Sequence, residues 1–373
     1  MKKHLWIYLL TITTIETLSG QNLRPRELGL HFGILKTGEL NAITDVKGVM
    51  IGQITKIDGE LIHTGVTAIL PHGDNIFQHK VPAAVYVGNG FGKLAGISQV
   101  QELGNIESPI ILTNTLSVSA GIDGTVKYIL SLDGNEKIQS VNAVVGETND
   151  GFLNDIRSMN IAASDVINAI KSAKSGPVTE GNIGAGTGTT CFGWKGGIGT
   201  SSRTLPEKLG GYTIGVLVQT NFGGVLQIAG IPVGEMLGQY IFKESIENAD
   251  GSCMIVVATD APVTDRNLER MAKRAMMGLA KTGGIASNGS GDYVIAFSTA
   301  EKLRIQHNRK EQELDTFSTL NNNDMSPLFM ATIEATEEAI INSLFAAETV
   351  KGRNGNTSEK LPVEKIIQWM KKK

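Results

Sequence analysis

NADGSCMIVVATDAP, residues 248–262, supports two readings. Residues 253–258 are an unbroken apolar run of strand length, and Asp250-Gly251 is a turn pair of the kind that opens a strand. On the first reading Ser252 is simply a small residue at the strand start. On the second, the Gly251–Ser252 bond is cut and Ser252 becomes an amino terminus. A free α-amine has an ordinary pKa of about 7.7–8.0, so part of it is unprotonated near neutrality. It can then take the proton of the hydroxyl on its own residue, directly or through a water, without a histidine. Glycine on the other side of the bond suits such a cut, because it resists neither a strained turn nor attack on its carbonyl.

Outward from this segment, strand-like runs alternate with helical ones. Residues 48–57, 64–72 and VNAVVGETNDG read as strands, the last ending in a polar turn at residues 147–151, and VPAAVYVGNG reads as a strand running into a Gly/Asn/Ser loop. SPIILTNTLSVSAG reads as a strand running into a Gly/Asn/Ser loop, and GYTIGVLVQTNFGG as a strand that breaks at Asn221. SGDYVIAFST is another strand, with Val294, Ala296 and Ser298 on one side and Tyr293, Ile295 and Phe297 on the other. Helical spacing predicts a helix over residues 164–174 with Ser164 as N-cap. It predicts a second after Thr264, with Leu268, Met271, Ala272, Ala275 and Leu279 on one face and Gly283 at its end. FMATIEATEEAIINSLFAAETV is a third, and the tail reads as a loop and one short surface helix. Doubly apolar, turn-linked strands favour two stacked sheets covered by helices over one wound sheet, in a single compact domain.

Composition narrows the functions available. Hydrophobic residues make up 41% and charged residues 19%, ordinary globular usage. The 44 glycines, about 12% of the chain against roughly 7% on average, have no fixed period and point to tight turns and close backbone approaches. A formal charge of −3 offers no basic footprint for nucleic acid, and no run of 18 apolar residues suggests a membrane span in the mature form. Residues 1–20 have a basic start, an apolar middle and a small-residue end, the layout of a secretory signal peptide; the expected destination is the periplasm. Cys191 and Cys253 are too few for a disulfide framework and read as buried thiols.

The six histidines show no HExxH frame, no CxxC accompanies them, and there is no GxSxG elbow, so neither zinc nor a Ser-His-Asp triad is indicated. The glycine-rich segment 181–203 lacks the Gly-Lys-Ser/Thr end of a P-loop, since Lys195 precedes Gly196-Gly197; close backbone packing suits it better.

What remains is hydroxyl chemistry at Ser252, and here the ordered segments become recognisable. RPRELGLHFGILKTGELNAITDVKGVMIGQ, HTGVTAILPH, NGFGKLAGISQVQELGNIESPIILTNT, GETNDGFLND, CFGWKGGIGTSSR, GVLVQTNFG, DGSCMIVVATDAP and SNGSGDYVIAFST together resemble the self-cleaving family of L-aminopeptidase/D-alanine esterase-amidases and β-peptidyl aminopeptidases. The likeness runs over residues 24–362. It implies an α/β protein with four-layer α/β/β/α packing of N-terminal-nucleophile type. It also implies self-cleavage at Gly251–Ser252 into residues 21–251 and 252–373, a homo-oligomer, commonly a tetramer of cut units, and no metal or organic cofactor. The substrate class implied is a small peptide or an amino-acid amide or ester.

The resemblance also assigns roles. Ser252 is the nucleophile and its amine the general base. Ser290 and Asp292, two apart at a strand start and therefore on one face, hold that amine and tune its pKa. Asn221 stabilises the oxyanion, and Glu147 binds the substrate's free ammonium. Two positions depart from the pattern. Asp292 stands where many members carry Glu, and Asn149 stands in the substrate region where an aromatic residue, often Tyr, is expected. Two other outcomes are compatible with the scaffold: an uncut, non-catalytic exported binding protein, and an acyltransferase like the ornithine acetyltransferases, which use Thr at the cleaved position.

Overall fold

The computed structural model describes residues 24–241, 251–308, 312, 314 and 316–370. The signal-like segment 1–20 and Asp250 lie outside the described residues. In chain order the strands are β1 (Met50–Asp58), β2 (Ile62–Leu70), β3 (His79–Gly90), β4 (Leu94–Ala95), β5 (Asn105–Ile106), β6 (Ile110–Asn114) and β7 (Val144–Thr148). They continue with β8 (Thr190–Cys191), β9 (Trp194–Lys195), β10 (Ile198–Thr204), β11 (Thr213–Asn221), β12 (Gly251–Thr259), β13 (Ser290–Ser298), β14 (Ile305–Gln306) and a C-terminal pair, β15 (Val350–Lys351) with β16 (Thr357–Ser358). The helices are α1 (Ile97–Leu103), α2 (Val118–Leu130), α3 (Ala163–Lys171), α4 (Val233–Leu237), α5 (Asp265–Lys281), α6 (Ser326–Phe345) and α7 (Val363–Met370).

One sheet runs β1-β2-β6-β7-β4; the other runs β10-β11-β12-β13-β3-β14, with β5 paired to β3. Three apolar layers explain why the strands carry apolar residues on both faces. Leu112 and Val144 of the first sheet meet Leu217, Met254, Val256 and Phe297 of the second in the inter-sheet core. Cys253, Ile255, Val257 and Val294 face the other way, against Leu268, Met271 and Ala275 of α5 and Ala335 and Ala339 of α6. On the far side, Val66, Ile111 and Val145 pack on Val166, Ala169 and Ile170 of α3. The order is helix, sheet, sheet, helix: the α/β/β/α sandwich expected. Each large aliphatic side chain so buried contributes about 1.5–3 kcal/mol.

Three local expectations are corrected. The run VPAAVYVGNG does not end in a loop: β3 stays extended to Gly90, paired with β13. The chain after Asn114 does not stay in a loop but forms α2, whose Gly121 and Gly124 look like helix breakers in sequence. A β carbon at Gly121 would stand 2.6 Å from Val145 Cγ1, and one at Gly124 would stand 2.6 Å from Val166 Cβ, so both glycines let the helix lie close on β7 and α3. Ser164 does not cap α3, which begins at Ala163 after Ala162; Asp165 Oδ2 instead accepts Ala162 N at 2.8 Å, closing the first turn. The glycine-rich segment 181–203 packs as expected: a β carbon at Gly199 would sit 2.0 Å from Ala339 O of α6.

The regions on either side of residue 251 are bound together by more than sheet pairing. Arg203, fully buried on β10, donates to Glu334 Oε2 at 3.1 Å and Glu338 Oε2 at 2.7 Å on α6. Arg26 donates to Glu338 Oε1 at 2.6 Å. The ion pairs lower the Glu338 pKa against the opposing effect of burial.

Candidate active site

Ser252 is the second residue of β12, flanked by β11 running antiparallel and β13 running parallel; its Cα partners are Asn221 and Gly291. β12 begins at Gly251, so the bond in question lies inside the strand end rather than in the turn before it. Ser252 Oγ donates to the Gly251 carbonyl oxygen at 2.6 Å and accepts from Gly291 N at 3.3 Å. The hydroxyl therefore lies against the carbonyl group of its own preceding peptide. Glycine is required at 251 for space, because a β carbon there would stand 2.7 Å from Phe222 Cα and 2.9 Å from Asn221 O.

Ser290 and Asp292 are the Cα partners of Gly251 and Cys253, so they bracket Ser252 on the neighbouring strand. Ser290 Oγ donates to Asp292 Oδ1 at 2.8 Å, while Asp292 Oδ2 is buried without a hydrogen-bond partner. Burial pushes the Asp292 pKa up to about 6, against the lowering effect of the Ser290 hydroxyl and the Cys253 backbone N–H. The carboxyl thus sits one residue along from the Ser252 nitrogen with an acceptor atom to spare. The β13–β3 register shifts between Asp292 and Tyr293, a bulge of the kind that re-aims side chains next to a site.

Asn221 ends β11. Its side chain shares a face with that of its cross-strand partner Ser252. Asn221 Oδ1 accepts Thr190 N at 3.0 Å, which fixes the amide so that Nδ2 is the donor end.

Glu147 is no surface-loop residue: it lies in β7 and is 3% exposed. Its Oε1 accepts Lys93 N at 2.9 Å and its Oε2 accepts the Thr115 hydroxyl. A β carbon at Gly92 would stand 3.2 Å from Gly291 Cα, 3.2 Å from Tyr293 Cε2 and 3.3 Å from Glu147 Oε1. Only the width of a glycine therefore separates the Glu147 carboxylate from the partner of Ser252. The exposed Asn149 is not drawn into this group by its side chain, whose Oδ1 accepts Gly151 N at 2.9 Å and closes a local turn.

A buried hydroxyl against a peptide carbonyl, an amide donor on the same face, a carboxyl with a spare acceptor and a second carboxylate close by can serve acyl transfer. The model of peptidase family S58 matches residues 41–358. The chain belongs to peptidase family S58. It is 40% identical to beta-peptidyl aminopeptidase BapA of Sphingosinicella microcystinivorans, over 95% of this chain and 93% of that relative. The PH0078 protein of Pyrococcus horikoshii OT3 superposes with a TM-score of 0.87 at 46% identity, covering 94% of this chain and 99% of that one. The L-aminopeptidase D-Ala-esterase/amidase of Ochrobactrum anthropi, described as a variant of the Ntn hydrolase fold, gives 0.86 at 34% identity, with 94% and 99% covered. This S58 member is an aminopeptidase with that fold.

Three supports of the site were not anticipated from sequence. Thr115 binds Glu147, Thr190 N orients Asn221, and Gly92 leaves room for Glu147 to lie close to Gly291. Thr115 stands just past Asn114, the end of β6, which pairs in parallel with β7, so strand-end polarity was the available signal.

Proposed function

We propose that the chain cuts itself between Gly251 and Ser252, and that the released Ser252 is the nucleophile of an exported aminopeptidase acting on small peptides, amides or esters with a free amino terminus. The observation that carries this is the 2.6 Å contact of Ser252 Oγ with the Gly251 carbonyl, beside an Asp292 carboxyl oxygen that has no partner. In the cut, Oγ bonds to the Gly251 carbonyl carbon, the C–N bond breaks and the hydroxyl proton passes to the Ser252 nitrogen, giving an ester. Water then hydrolyses it, leaving a Gly251 carboxylate and a Ser252 α-amine. The new ammonium supplies the partner Asp292 Oδ2 lacks in the uncut chain.

In turnover, the substrate's ammonium docks on Glu147, which fixes the position of the first carbonyl carbon. The Ser252 amine takes the hydroxyl proton as Oγ attacks. Asn221 Nδ2 donates to the developing oxyanion, a contribution of about 3–4 kcal/mol for donors of this kind. The ammonium of Ser252 gives its proton to the departing amine, and water releases the acyl group by the same steps reversed. The names of the relatives, one a beta-peptidyl aminopeptidase and one an L-aminopeptidase D-Ala-esterase/amidase, support substrates bearing a free amine beside the scissile carbonyl. Export rests on the signal-like residues 1–20, and assembly of cut units into a tetramer is part of the same reading.

Ser252→Ala tests the proposal on a denaturing gel. The variant is expected to run as one band and to hydrolyse no aminoacyl p-nitroanilide, while the unaltered protein runs as two. Processing of the variant at 251/252 would show that another group makes the attack.

A further inference from the structure

Lys195 has no part in the chemistry above, yet it is fully buried between the glycine-rich turns. Its Nζ donates to Gly186 O at 3.0 Å and to Gly196 O at 2.8 Å. The glycine-rich segment wraps the lysine head group with backbone carbonyls. Those two carbonyls lie on either side of the hairpin β8–β9, whose strands pair Thr190 with Lys195 and Cys191 with Trp194.

That hairpin is what holds Asn221. Thr190 N, in its first strand, is the donor to Asn221 Oδ1. Phe192 N donates to Phe222 O at 2.7 Å, and Gly197 N donates to Thr220 Oγ1 at 3.1 Å, so the hairpin and its exit are bonded to all three residues 220–222. Thr189 adds two struts: its Oγ1 donates to Gly186 O at 3.1 Å, and its carbonyl accepts Gly196 N at 3.1 Å. The bond that orients the Asn221 amide thus comes from a short hairpin whose base is cross-linked by the Lys195 head group.

We propose that Lys195 is a positioning residue for the oxyanion donor: by joining Gly186 O to Gly196 O it fixes the β8–β9 hairpin, and through Thr190 N it holds Asn221 Nδ2 aimed at the reacting carbonyl. This rests on the role of Asn221 given above. The charged and titratable groups that face Lys195 are Asp150, Cys191 and His63. Burial pushes the lysine pKa down to about 7 and the Asp150 carboxylate opposes the change. Either protonation form keeps two N–H donors for the two carbonyls, so the brace survives across neutral pH. An apolar residue of similar length would leave both carbonyls buried and unpaired, and the hairpin would shift to reach water or other donors.

The test is a double-mutant cycle on the self-processed enzyme, with Lys195→Met, Asn221→Ala and the pair assayed on an aminoacyl p-nitroanilide. A displacement of about 1 Å at a positioning contact costs up to roughly 100-fold, so Lys195→Met is expected to lower kcat by about 10- to 100-fold and to leave KM within about twofold, since Glu147 is untouched. In the Asn221→Ala background the same change should lower kcat by less than about twofold. Equal loss in both backgrounds, or an unchanged kcat in Lys195→Met, overturns the proposal. Should Asn221→Ala itself leave kcat unchanged, it is the oxyanion role that fails. If Lys195→Met yields no folded enzyme, Thr189→Val removes one strut of the same turn and reads the same cycle with a smaller factor.

Discussion

Replacing Asp292 with asparagine isolates the electrostatic part of the mechanism at nearly constant shape. In the uncut chain Asp292 Oδ1 is bonded to Ser290 Oγ, Oδ2 has no partner, and burial holds the pKa at about 6 instead of the ordinary 3.8. The proposed cut would put an ammonium beside that carboxyl. Opposite charges at such range favour both charged forms by about 1–3 pH units, so the carboxyl pKa falls and the amine pKa rises above its ordinary value of about 7.7–8.0. The amine works as a base only when unprotonated, so the acid limb of kcat/KM follows its titration. Asp292→Asn removes the stabilising charge, and the limb should move down by about one to two pH units, each worth about 1.4 kcal/mol. The assay is kcat/KM for an aminoacyl p-nitroanilide from pH 5 to 10 on processed enzyme of both forms. A limb that stays in place or moves up would refute the pairing of Asp292 with the Ser252 amine. The same residue makes a prediction for the uncut Ser252→Ala protein. Because the folded pKa is raised, Asp292 contributes stability that is present below about 3.8 and lost as pH rises through about 6. Adding Asp292→Asn should remove this decline from urea midpoints measured across that range.

Glu147→Gln should raise KM for substrates with a free amine by roughly 10- to 100-fold, as expected for loss of a charge-assisted bond of about 1.5–3 kcal/mol; KM within twofold of the original would remove Glu147 from ammonium binding. Gly251→Ala forces a β carbon to 2.7 Å from Phe222 Cα and should slow self-cleavage, seen as an uncut band that persists on a gel time course. Arg203→Met leaves Glu334 and Glu338 without their buried partner and should cost about 3–5 kcal/mol in urea unfolding, with no change in the position of the cut.

The strands around Ser252 are legible because burial on both faces leaves an unambiguous apolar run, and the period-two split over residues 293–297 of β13 matches its two cores. Asn221 at a strand end and Ser290 with Asp292 at a strand start could be placed by local pattern alone. The helix α2 could not, because Gly121 and Gly124 count against a helix until the side chains of Val145 and Val166 supply the reason for them. Glu147 read equally well as a loop residue, since its burial depends on Lys93 and Thr115 arriving from other parts of the chain. Lys195 was the least legible. Its glycine neighbours in sequence point only to close backbone packing, and only the folded path of residues 186–196 shows its head group turned inward onto two carbonyls. Non-local backbone donors and acceptors leave no periodic mark in a sequence, and they supply much of this site's orientation.

The proposed chemistry depends on one broken peptide bond, and amino-terminal sequencing of the purified, active protein tests it most directly. Two chains are expected in equal amounts, one of them beginning Ser252-Cys253-Met254. An active preparation consisting of a single uncut chain, or of chains divided at any other bond, would contradict it.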